Sequence, residues 1–163
     1  MAGITFVGGL TMYDRIAVPL DGSPLAECVI PHIELLARVS SNCEVQLITV
    51  IEPIEVPTRG KIALTEEDLK QIHAELEKDA RTYLEKVAQR LEREGIRTRP
   101  VIIQGKPAEG LIEYVHNNGI DLLLMATHGR SGLSKLFWGS IAEKVVRAVS
   151  VPVMLIKAGQ CAD

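Results

Sequence analysis

The chain has 163 residues, 47% of them hydrophobic and 24% charged, which fits one globular domain with a single sizeable core. A formal net charge of -3 supplies no basic field, so nucleic acid is not expected as a partner. No apolar run is long enough for a membrane span, and no membrane association is expected. Aromatic residues make up only 4%, so the core must rest on Val, Ile, Leu and Ala.

Residues 1–11 lack the basic start and apolar stretch of a secretory signal, and Met12 opens a more natural beginning. They read as an extra N-terminal segment or tag remnant, with one domain over residues 12–163. Arg15–Leu20 reads as a buried strand. Ser23 then caps a helix to Val39, with Pro24 at its first position and Pro31 inside, where it should kink the helix. Cys43–Ile51 is a second strand, and Glu52–Leu64, with Pro53, Pro57 and Gly60, a loop.

Thr65 and Asp68 have capping-box spacing at the head of the longest helix. Leu69, Ile72, Leu76, Ala80, Tyr83, Val87 and Leu91 recur every three or four residues along one face, and Gly95 stops it. Arg97–Gln104 is a third strand, Pro107–Asn118 a short helix ended by Gly119, and Ile120–Ala126 a fourth strand. Ser140–Ser150 is a helix and Pro152–Lys157 a fifth strand. This alternation predicts an α/β fold: a five-stranded parallel sheet with helices on both faces.

The most informative stretch is Ala126-Thr127-His128-Gly129, nine residues, then Gly139-Ser140. A strand that runs through a small-residue loop into a helix start collects anions, because free backbone N–H groups and the positive end of the helix dipole converge there. The same residues have a purely structural reading, since Ser140-Ile141-Ala142-Glu143 is spaced as an S-x-x-E capping box. Arg130 and Lys135 can meet phosphate charge or simply stay solvated. Asp21, after the first strand, can accept hydrogen bonds from ribose hydroxyls or shape an Asx-type turn.

Other chemistries find little support. Cys28, Cys43 and Cys161 are odd in number and form no CxxC, so they read as incidental thiols of a reducing cytoplasm. The four histidines form no i,i+4 pair, and no metal site is expected. There is no Walker A motif, no GxGxxG after the first strand, and no G-x-S-x-G elbow. His128 beside Ser131 or Ser134 is too local to align as base and nucleophile.

Several motifs together resemble the universal stress protein family over Tyr13 to Lys157. Ile16-Ala17-Val18-Pro19-Leu20-Asp21-Gly22-Ser23 is similar to its opening strand, Gly105-Lys106-Pro107-Ala108 to the turn before its third helix, and Ala142-Glu143-Lys144-Val145-Val146 through Val151 to Ile156 to its ending. Met125 to Ser140 resembles its ATP-binding pattern Gly-x2-Gly-x9-Gly-Ser/Thr, with Ala126 in place of the first glycine. A methyl there intrudes little at negative φ and seriously at positive φ.

The resemblance implies a Rossmann-like sheet in the order 3-2-1-4-5. It implies ATP, with or without Mg²⁺, in contact with Pro19, Leu20, Asp21, Val45, Met125, Ala126, Gly129, Arg130, Gly139, Ser140 and Ile141. It also implies a homodimer through the last strand, Val151 to Lys157, whose apolar edge needs a cover. The expected role is a cytoplasmic, nucleotide-dependent regulator in the stress response, with little or no turnover. A nucleotide-free interaction module and a slow ATPase are the alternatives.

Overall fold

The structure is a computed structural model, which describes residues 13–40, 42–54, 65–127 and 139–157. The boundary expected near residue 12 and most of the loop expected over residues 52–64 lie outside the described residues.

Five parallel strands form one sheet: β1 (Arg15–Pro19), β2 (Glu44–Ile51), β3 (Arg97–Gln104), β4 (Leu122–Thr127) and β5 (Val153–Lys157). Their order is β3-β2-β1-β4-β5. In β1, Ile16, Ala17 and Val18 are all fully buried, the continuous apolar run that a central parallel strand needs. The strand's amino end is held by Asp121, whose carboxylate accepts the N–H groups of Asp14 and Arg15. Register along the sheet sets Ile16 beside Val45 and Pro19 beside Ile48.

Helices α1 (Ile30–Val39), α2 (Glu66–Arg93), α3 (Pro107–Asn117) and α4 (Ser140–Ala148) cover both faces. One core layer joins Ile30 and Ile33 of α1 to Leu84, Val87 and Leu91 of α2 over Ile16, Val18, Leu47 and Leu124. The other joins Leu111 and Val115 of α3 to Ala142 and Val145 of α4 over Ala17, Ile48, Leu123 and Met125. Strand residues alternate between the layers, as the two-residue pleat requires.

The helix expected from Ser23 to Val39 is divided. A 3₁₀ turn spans Ala26–Val29, and α1 begins only at Ile30, which leaves Pro31 in its first turn. At the head of α2 the Thr65–Asp68 capping box forms in both directions. At its tail Gly95 has φ 79°, and the N–H groups of Gly95 and Ile96 bond back to the carbonyls of Glu92 and Leu91. At 28 residues α2 is about 42 Å long, whereas the eight residues of β2 span about 26 Å. The fully buried residues of α2 begin at Leu84; along residues 66–82 its side chains are exposed or half-buried. There the Ile54 N–H meets His73 Nε2 at 3.5 Å.

Candidate functional site

Parallel α/β sheets leave a crevice beyond the carboxyl ends of their strands, where the strand order reverses. Here the chain leaves β1 toward β2, while β4 lies on the other side of β1. A cavity of about 530 Å³ opens at that point, within the range that small-molecule sites occupy.

One wall is the end of β1. Pro19, Leu20 and Asp21 line it. The Leu20 N–H donates to the Ile48 carbonyl, and the Thr49 hydroxyl donates to the Leu20 carbonyl at 2.8 Å. Asp21 is exposed, and its Oδ1 accepts the Ser23 N–H at 2.9 Å. The Asx-type turn therefore forms, and a carboxylate with two oxygens keeps acceptor capacity toward the cavity.

The facing wall is β4 and the start of α4: Met125, Ala126, Gly139, Ser140 and Ile141 all line the cavity. Ala126 lies within β4 in register with Ile156, so its backbone is extended. Its methyl packs toward the α1–α2 layer, while Met125 belongs to the α3–α4 layer.

The capping box read at residues 140–143 does not form. The N-cap is Gly139, at φ 85° and ψ 142°, which puts Ser140 in the first helical position. Among the described residues no side chain caps the helix, and Glu143 instead pairs with Arg147 at 2.9 Å. A glycine is needed because that backbone conformation strains any residue with a Cβ. The N–H groups of the first helical residues have no acceptor within α4, and they face the cavity end.

Val45, expected at the site, is fully buried in the α1–α2 layer and does not line the cavity. It pairs with Ile16 near the amino end of β1, whereas the cavity lies at the other end. Thr49 and Val50, four and five residues further along β2, occupy the wall instead. Gly129 and Arg130, with His128, Lys135 and Trp138, lie outside the described residues.

Three contributions were not anticipated: Thr49 and Val50, then Leu25 and Ala26 at the 3₁₀ turn, then Pro107 and Leu111 of α3. Pro107 carried a signal, since Gly105-Lys106-Pro107 marks a helix start and parallel topology brings such starts to the carboxyl ends of the strands. Among the described residues, Asp21 is the one titratable side chain on the cavity wall. Behind it, burial and then the Glu27 carboxylate push the Tyr83 phenol above its ordinary range. Lys144 of α4 bridges to Glu109 of α3 and, through that hydrogen bond, holds the Glu109 carboxyl below its usual range.

The sequence model of the universal stress protein family matches residues 12–157. The chain is 27% identical to the universal stress protein MJ0577 of Methanocaldococcus jannaschii, over 90% of this chain and 96% of that one, and its solved structure superposes with a TM-score of 0.74. A universal stress protein crystallised in complex with cAMP has the same fold at 19% identity, TM-score 0.61, with 90% of this chain and 98% of that one covered. So does an Arabidopsis thaliana protein of the family with AMP bound, at 17% identity and TM-score 0.59, with 88% and 90% covered.

Proposed function

The chain belongs to the universal stress protein family, and on that footing we propose that it binds ATP, with or without Mg²⁺, between the ends of β1 and β4. Its role is a regulatory one in the stress response, with little or no turnover. The observation that carries this reading is the start of α4. A glycine at φ 85°, with no side-chain cap among the described residues, opens the helix N-terminus into a cavity whose opposite wall bears Asp21.

In this reading the backbone N–H groups of Ser140 and Ile141, with the Ser140 hydroxyl, donate to phosphate oxygens. Asp21 accepts from ribose hydroxyls. The apolar walls of Val50, Leu111 and Met125 exclude water around the base, and the family pattern assigns Gly129 and Arg130, outside the described residues, to the phosphates. The extended backbone at Ala126 removes the conformational objection to its methyl. The relatives with cAMP and AMP support an adenine nucleotide as the ligand class. One carboxylate on the wall, with no second acid or base among the described lining residues, supports binding over turnover.

A homodimer through the β5 edge and a cytoplasmic location complete the proposal. No helix of the described residues is long and apolar enough to cross a membrane. The nucleotide-free module remains the second reading, favoured by the use of one Asp21 oxygen in its own turn.

Calorimetric titration with ATP tests the proposal. Asp21→Ala and Gly139→Ala should each weaken binding at least tenfold, about 1.4 kcal/mol. Silence of the wild type toward ATP, ADP and AMP at millimolar concentration overturns nucleotide binding. Unchanged affinity in both variants overturns the site.

A further inference from the structure

Two apolar wall residues, Leu25 and Ala26, stand at the start of the 3₁₀ turn Ala26–Val29. Local signals favour an ordinary α-helix there. The Ser23 hydroxyl accepts the Ala26 N–H at 3.1 Å as an N-cap does, and the Ser23 carbonyl accepts the Glu27 N–H four residues on. One residue later the pattern tightens. The Cys28 N–H donates to Leu25 and the Ile30 N–H to Glu27, each only three residues back.

In a continuous α-helix the Glu27 carbonyl would receive its bond from residue 31. Residue 31 is proline, which has no N–H and whose ring collides with the carbonyl four residues before it. Pro31 is itself exposed and lies outside the cavity lining.

We infer that Pro31 is a positioning residue for the candidate site: by forbidding the α-type bond to Glu27 it holds the 3₁₀ turn, and so sets where Leu25 and Ala26 stand in the cavity wall. The effect on ligand affinity rests on the nucleotide reading, but the backbone claim does not. A 3₁₀ turn rises about 2.0 Å per residue with 3.0 residues per turn, against 1.5 Å and 3.6 for an α-helix. Over four residues the two differ by about 2 Å along the axis and about 80° around it. Conversion to α would draw this wall back and swing its side chains by most of a right angle. A gap of 0.5–1 Å already forfeits a quarter to a half of a van der Waals contact, so a ligand seated on the wall would lose it.

Pro31→Ala tests the inference, with Pro24→Ala, seven residues earlier, as the control proline. Without nucleotide, amide exchange by NMR should show a protected N–H at position 31 and α-type shifts over residues 26–29 in Pro31→Ala. With ATP, this variant should bind at least fivefold more weakly at an equal or higher melting temperature, and Pro24→Ala within twofold of wild type. An unprotected amide at 31 with the 3₁₀ shifts retained overturns the inference. So does a full conversion to α that leaves ATP affinity unchanged. If the wild type is silent toward ATP, the nucleotide reading falls, and the amide readout still decides the role of Pro31.

Discussion

At position 126 a methyl group stands where the resembling pattern has only hydrogen, and the sequence alone could not decide its cost. The answer depends on whether the backbone is extended there, and pairing with Ile156 makes it so. Val45 lies away from the cavity for a related reason. The strand was legible, but a strand's contact with a site depends on register. With Ile48 opposite Pro19, the site falls four residues past Val45. Polar residues inside the sheet are equally invisible to pattern reading. Gln46, 1% exposed, accepts from the Tyr114 hydroxyl at 2.9 Å and donates to Glu44. Tyr114→Phe leaves that buried amide oxygen without its donor, and should cost roughly 1–3 kcal/mol in urea unfolding. Asp68 adds a pH term. Hydrogen bonds from Thr65 hold its carboxyl below the usual range, so its contribution is present near neutrality and lost as pH falls through that lowered value. The stability gap between wild type and Asp68→Asn should therefore narrow in acid, below about pH 4, in denaturation curves.

Helix ends separate what a one-dimensional reading catches from what it misses. The start of α2 was legible because Thr65 and Asp68 act on each other three residues apart. Its stop was legible because Gly95 completes a left-handed cap. Space around Gly95 is open, so Gly95→Ala isolates the conformational penalty, expected at about 1–2 kcal/mol and read as a lower thermal midpoint. The start of α4 at Ser140 was legible but its cap was not, because serine spacing suits a box and only the dihedral angles of Gly139 show that the glycine is the N-cap. The helix after β1 was foreseen with its proline, but not the length of chain that the proline reshapes.

The strand sequence and both helical faces followed from alternating apolar blocks, whereas the sheet order rested on the family resemblance. The cavity's far wall escaped the sequence reading, since α3 and the end of β2 reach it only through the third dimension. At this scale the open question is assembly. Strand β5 forms one edge of the sheet, with Met154 39% exposed on it. A charge there opposes edge pairing, so Met154→Asp should shift a β5-mediated dimer to monomer in analytical ultracentrifugation. Helix α2 carries a different consequence of size. Its second half melts only when the core does, because Leu84, Val87 and Leu91 are locked into it. Residues 66–81 include no fully buried side chain, and a lone segment of sixteen residues is barely self-sustaining in water. Amide exchange along α2 should therefore be faster toward Glu66 than toward Arg93 while the sheet stays protected.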